Sequence, residues 1–195
     1  MRYVVALTIV GVLTGCAHQS VTPVNSFQST ELTSMKAQEN KQLIENFYQA
    51  FQQHKGEKMA SYYAADARFS DPVFSDLRGQ QVGDMWRMLT ERAQDFSLVY
   101  DGVQANEETG EAHWVASYMF SKTGRKVVNN VHSKFTFKDG KIVSQHDSFD
   151  LWHWSSQALG IKGRLLGWTP LVQHKIQQQA ADALAIYQKN KGQGK

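Results

Sequence analysis

The run "KVVNNVHSKFTFKDGKIVSQHDSFDLW", Lys126 to Trp152, decides the fold. Val127, Val131, Phe135 and Phe137 repeat on the period of two expected of a half-buried strand. Asp139-Gly140 is a hairpin signal, and the chain returns as a second strand. That strand carries Val143, Asp147 and Phe149 on the same alternation, so one carboxylate stands on an otherwise apolar face. An ionised carboxylate there is costly unless it is paired. Register decides its neighbours. A three-residue loop, Lys138 to Gly140, pairs Phe137 with Lys141, Val131 with Asp147 and His132 with His146. A two-residue loop pairs Phe137 with Ile142 and His132 with Asp147. The apolar grouping of Val127, Val131, Phe135, Phe137, Val143, Phe149 and Leu151 favours the first, with Asp147 on the concave face.

Working outward, "AHWVASYMFS" alternates with Trp114, Ala116, Tyr118 and Phe120 on one side. Lys122 opposite Arg125 places that side on the same concave face. "FSLVYDGVQA" is a further strand, and "ARFSDP" is a short one ended by Pro72. Leu43, Ile44, Phe47, Tyr48 and Phe51 recur at helical spacing and predict a helix over 34–54. Short helical patterns follow over 57–64 and within "LRGQQVGDMWRMLTERAQ". Asp150 is placed to cap a helix in "LWHWSSQAL", and Pro170 sits at the first position of a last long helix. Helices, then a meander of strands, then a helix indicate an α+β domain with helices on one sheet face.

With 195 residues, 42% of them hydrophobic, the chain suits one domain with a substantial core. The net charge of +3 comes with no basic run and no nucleic-acid motif, so nucleic-acid binding is not expected. Arg2 and "YVVALTIVGVLTG" have the length and polarity of a signal peptide rather than a spanning helix. The segment ends in "LTGC", which resembles the lipobox of bacterial lipoproteins. That resemblance implies a signal peptide over 1–15 and lipidation at Cys16, the sole cysteine. Membrane attachment would run through that lipid. Ala17 after the cysteine suggests the outer membrane, with the protein facing the periplasm. Polar residues 16–33 read as a flexible tether, 34–190 as the domain and 191–195 as a polar tail.

The strings "FYQAF", "YYAADARFSDPVF", "LRG" and "FKDGKIVSQHDSFDLW" resemble the nuclear transport factor 2-like superfamily, in its SnoaL-like branch, over about 34–155. The resemblance implies a curved antiparallel sheet wrapped around N-terminal helices, a cone-shaped α+β barrel with a pocket, here with an extra C-terminal helix. The superfold hosts isomerases, hydrolases, cyclases and noncatalytic modules. "AADARFSDPV" looks like the string that carries the base of ketosteroid isomerases, and the match falls on Asp71. The positions of that family's oxyanion donors carry Phe47 and Ser133, with Tyr48 one step away and expected to face elsewhere. The last strand resembles that of limonene-1,2-epoxide hydrolase, whose catalytic Asp falls on Asp147. Its two partner positions carry Trp114 and Ala116.

Asp147 and Asp71 are therefore the candidate catalytic groups. The alternatives are a buried Asp147 satisfied by Asn129, Tyr118 or a helix N-terminus, and an Asp71 that bonds the turn before Pro72. Phe47, Trp86, Trp114, Tyr118, Asn129, Ser133 and Phe149 are expected to line a pocket for a small hydrophobic molecule. A carboxyl in such a pocket should titrate above its ordinary range. His113, His132 and His146 lack the tight spacing of metal ligands, and neither a metal nor a cofactor is implied. The convex sheet face is a candidate homodimer contact. The stretch 161–190 could close the pocket, pack on a partner or lie on a membrane. Binding without turnover, acid/base catalysis and an envelope interaction module all remain open.

Overall fold

The structure, a computed structural model, describes residues 26–193. Cys16, the apolar segment before it and the start of the tether lie outside those residues. The elements run α1 (Ser26–Gln52), α2 (Gly56–Ser61), β1 (Tyr63–Ser70), β2 (Leu77–Arg78), α3 (Gln80–Arg92), β3 (Ser97–Ala105), β4 (Thr109–Phe120), β5 (Arg125–Lys138), β6 (Lys141–Ser148), α4 (Leu151–Ala158), α5 (Ile161–Leu166) and α6 (Pro170–Gln193). This is an α+β domain in which one curved sheet wraps helices.

The strand order is β2-β1-β6-β5-β4-β3. The sheet is mixed rather than wholly antiparallel, because β1 runs parallel to β6. It stays open, since β2 and β3 are its two edges. Its curvature has local causes. Gly102, at φ 61°, sits where the β3–β4 register shifts, and the β5–β6 register shifts between Thr136 and Phe137. Bulges of this kind bend a strand and increase its twist.

Both expected hairpin registers are corrected. Asp139 and Gly140 have φ of 51° and 69°, so they form the two-residue loop, with Phe137 opposite Ile142. The bulge beyond it then adds a residue, and Ser133, not Val131, faces Asp147. His146 lies opposite Lys134 and His132 opposite Ser148, so the expected His132–His146 pair does not form. In β4–β5, Phe120 rather than Lys122 pairs with Arg125, and Trp114 faces Val131. Each net displacement is two residues, which preserves the face of every side chain beyond it. The inward residue nearest the last turn is Ile142, while Val143 is only half-buried at the bulge.

Three boundaries also move. The first helix begins at Ser26, so residues 26–33, read as tether, are helical. Asn40 Nδ2 donates to the carbonyls of Asn106 and Glu107, and Lys36 pairs with Glu107, which docks this helix on the β3–β4 turn. The last helix runs on to Gln193, past the expected start of the tail. Tyr63, assigned to a short helix by its spacing, is the first residue of β1.

The core lies between α1, α3 and the concave face. Ile44, Phe47, Tyr48 and Phe51 of α1 meet Trp86, Trp114 and Phe135. Phe47 packs edge-on against Tyr48 and Trp86 at 5.3 Å between ring centroids, and such pairs add to what burial alone contributes. Asp150 caps α4, accepting from the backbone N–H of His153 at 2.9 Å. The last helix crosses the open end of the cone. Gln177 Nε2 donates to the carbonyl of Pro72, Lys122 to Gln179, Gln188 to Asp84 and Tyr187 to Glu91.

Candidate functional site

The cone encloses a cavity of about 590 Å³ between the concave sheet, α3 and the C-terminal helices. That is the size of a small-ligand pocket. Trp86, Trp114, Tyr118, Asn129 and Phe149 border it, and so do both candidate carboxyls, Asp147 and Asp71. Phe51, Phe69, Met85 and Met88 add apolar wall. Phe47 and Ser133 do not reach the cavity and are corrected to a layer behind it; both are fully buried. The last helix supplies Leu171, Val172, Ile176 and Ala180, so the 161–190 stretch forms the far wall.

Behind the wall, a hydrogen-bonded chain holds Asp147. Ser133 Oγ donates to Asp147 Oδ1 at 2.6 Å, and Gln145 Nε2 donates to the same oxygen at 2.8 Å. Ser133 in turn accepts from Tyr48 Oη at 2.8 Å and Trp114 Nε1 at 2.9 Å. Gln145 Oε1 accepts from the Tyr63 hydroxyl, which accepts from Trp86 Nε1 at 2.8 Å. The expected partners, Asn129, Tyr118 or a helix end, are replaced by Ser133 and Gln145. Tyr48 faces this network rather than elsewhere. No described residue donates to Asp147 Oδ2, and this carboxyl borders the cavity.

Asp71 does bond its turn, as the bland alternative expected. Its Oδ1 accepts from the backbone N–H groups of Val73, at 2.7 Å, and Phe74. It nonetheless shares the cavity wall with Asp147. Tyr118 Oη accepts from Trp154 Nε1 at 2.8 Å, which leaves its own proton available for donation.

Burial pushes the Asp147 carboxyl from 3.8 up to about 7, against the opposing pull of its bonds from Ser133 and Gln145. The Asp71 charge adds to the rise. Burial likewise lifts Asp71 to about 6, countered by the N–H groups of Phe74 and Val73. Burial raises Tyr48, Tyr63 and Tyr118 as well, so all three phenols stay protonated near neutral pH. The arrangement thus offers two carboxyls that exchange protons near neutrality, and a phenol donor, in an apolar space. Groups of that kind suit hydrogen bonding to a ligand or general acid/base work.

Spacing alone missed Tyr48, Tyr63 and Gln145. The signal for Tyr48 was present, because Ile44, Phe47, Tyr48 and Phe51 share one helical face. Gln145 shares the alternation of Asp147 and Phe149. Among the described residues, no cluster of three or more His, Cys, Asp or Glu is placed to hold a metal ion. On the other sheet face, His113 lies between Asp101 and Asn130, at 2.9 and 2.8 Å, and its ring meets that of His132.

Solved structures with this fold include an epoxide hydrolase of the limonene-epoxide-hydrolase-like kind from Mycobacterium tuberculosis. It is 21% identical over 70% of this chain and 97% of its own, with a TM-score of 0.54. A protein from Catenulispora acidiphila with a ketosteroid isomerase-like fold, in complex with trimethylamine, is 13% identical over 66% of this chain and 97% of its own, with a TM-score of 0.55. A putative polyketide cyclase from Xanthomonas campestris is 16% identical over 63% of this chain and 98% of its own, with a TM-score of 0.51. At these identities the likeness is one of fold. No curated protein matches the chain at a significant level. The profile of the SnoaL-like domain matches residues 44–145, just over half of the chain, and so takes in α2, α3, β1 to β5 and β6 as far as Gln145. The chain belongs to the SnoaL-like domain family.

Proposed function

We propose that this protein binds a small, mainly hydrophobic molecule in the cone, with Asp147 and Tyr118 meeting a polar group on it. The observation that carries this reading is the 590 Å³ cavity itself, apolar over most of its wall and bordered by a buried carboxyl with one oxygen unengaged. Filled space would have removed the reading. Acid/base turnover is the second reading, favoured by one specific feature. Asp147 and Asp71 both titrate near neutrality and border the same space. The departures at Phe47, Ser133, Trp114 and Ala116 speak against copying the isomerase or epoxide hydrolase mechanisms.

The setting we propose is the bacterial cell envelope, with the chain held at the outer membrane by a lipid on Cys16. The support is the "LTGC" string after an apolar segment. Labelled palmitate should enter the wild-type chain and not Cys16→Ser.

Binding can be read directly, because Trp86, Trp114 and Trp154 border the cavity. Titration with a fluorescent apolar probe such as anilinonaphthalene sulfonate should quench tryptophan emission saturably. Ala116→Phe, which projects a ring into the cavity, should weaken that binding at least tenfold. Equal binding by the two proteins would sink the cavity reading.

A further inference from the structure

Half of the large hydrophobic side chains that are exposed among the described residues sit in one short part of the chain: Trp152, Ile161, Leu165, Leu166, Trp168 and Leu171. Ile161 is 77% exposed, Leu165 64%, Trp168 62% and Leu171 81%. They form one corner of the molecule. Trp152 Nε1 donates to the carbonyl of Arg164, and Trp168 Nε1 to that of Leu165, so both indoles lie against α5. A contiguous apolar patch of this kind on a folded surface marks an interaction site.

The charge along this part of the chain is one-sided: Asp150, at its start, is committed to capping α4 through the N–H of His153. From Leu151 to Ala181 there is no Asp or Glu, while Lys162, Arg164 and Lys175 are cationic. None of these three takes part in an ion pair among the described residues. We infer that this corner is a docking surface for an anionic lipid bilayer. Tryptophans at the rim of an apolar patch suit the headgroup level, and unpaired Lys and Arg beside them complement anionic headgroups. A second copy of the chain is a poorer occupant. A two-fold contact sets a patch against itself, so these cations would face one another with no carboxylate in the segment to pair them.

The docked orientation has a consequence for the cavity. Lys162, Leu166, Leu171 and Lys175 belong both to this corner and to the cavity wall. A bilayer against the corner therefore lies at the side where α5 and α6 close the cone, and a hydrophobic molecule can pass from lipid to cavity with little exposure to water. That consequence rests on the binding function proposed above; the docking does not.

The test uses the full chain with vesicles whose acyl chains carry bromine, a quencher of tryptophan. One set is phosphatidylcholine alone and the other includes phosphatidylglycerol. Trp152 and Trp168 are the reporters of docking, since both are exposed and neither borders the cavity. We expect quenching severalfold greater in the anionic vesicles. The Trp152→Phe, Trp168→Phe double variant should lose most of it, and the Lys162→Glu, Arg164→Glu, Lys175→Glu variant should drop to the level of phosphatidylcholine. All of these positions lie on the surface, and unchanged melting temperatures would establish that the variants fold. Equal quenching in both vesicle types overturns the inference, as does quenching indifferent to the Trp152→Phe, Trp168→Phe double substitution. A bromine-insensitive dimer dissociated by Leu171→Ser also overturns it. Probe binding in the absence of vesicles reads the cavity separately, so failure of docking and failure of ligand binding are distinguishable.

Discussion

Because Ser133 and Gln145 both donate to Oδ1 of Asp147, the proton that this carboxyl takes up near pH 7 is carried on Oδ2, on the cavity side. One oxygen is committed to the fold and the other is available to a ligand. The same burial links Asp147 to stability. Its folded-state value lies above its unfolded one, so the native state binds the extra proton between pH 3.8 and about 7. Stability is then full below the lower value and is lost as pH rises through the upper one. The loss amounts to about 4 kcal/mol at most, at about 1.4 kcal/mol per tenfold change in proton affinity. Asp71, lifted to about 6, acts in the same direction. Chemical denaturation should find the chain more stable at pH 5 than at pH 8. Asp147→Asn, which keeps an acceptor for Ser133 and Gln145, should flatten most of that slope, and a slope unchanged by the substitution would count against a buried, protonatable Asp147. Ser133→Ala makes a second case. It strips a buried hub that accepts from Tyr48 and Trp114, and leaving such donors unpaired costs about 1–3 kcal/mol each. It also removes a bond that holds the Asp147 value down, so the carboxyl resonance in an NMR titration should move to higher pH; a midpoint that stays or falls would contradict the network.

At the scale of elements, α4 and α5 meet through glycine. A Cβ on Gly163 would fall on the Ser155 carbonyl, and one on Gly167 on the Ser155 side chain. The two helices can approach this closely only without side chains there. Gly163→Ala should force them apart and lower stability by about 1–3 kcal/mol, seen as a reduced Tm, since overpacking of a tight contact has that cost. No change in Tm would mean that the α4–α5 contact is looser than described. The elements also show why much of the fold was legible. Alternation of apolar residues in 112–121 and 126–137 survives a slip of two, so the concave face was read correctly although both hairpin registers were not. The bulge beyond Thr136 has no counterpart in the alternation, because an extra residue is invisible until two strands are paired. The 26–33 segment hid its helix behind Ser and Thr, and the docking of Asn40 and Lys36 on the β3–β4 turn is a tertiary contact. Asp147 and Asp71 could be singled out from the sequence as charge on an apolar strand and charge before proline. The tie from Asp147 through Ser133 to Tyr48 joins residues far apart in the chain and needed the fold.

For the whole molecule, the organising feature is a cone whose tip is filled and whose wide end is not. Tyr48, Phe47 and Trp86 pack the narrow part with the network behind Asp147, and α6 spans the open part. An ordinary core would close such a space, since interiors pack to the density of organic crystals. A cavity of this size is retained only if something occupies it or it is tolerated at a cost to stability. The most direct measurement is native mass spectrometry of the protein purified from the cells that make it, beside Ala116→Phe treated identically. The account predicts a noncovalently bound hydrophobic molecule on the unchanged chain, lost or sharply reduced in the variant. The bare chain mass for both proteins, with no apolar molecule able to bind on addition, would contradict it.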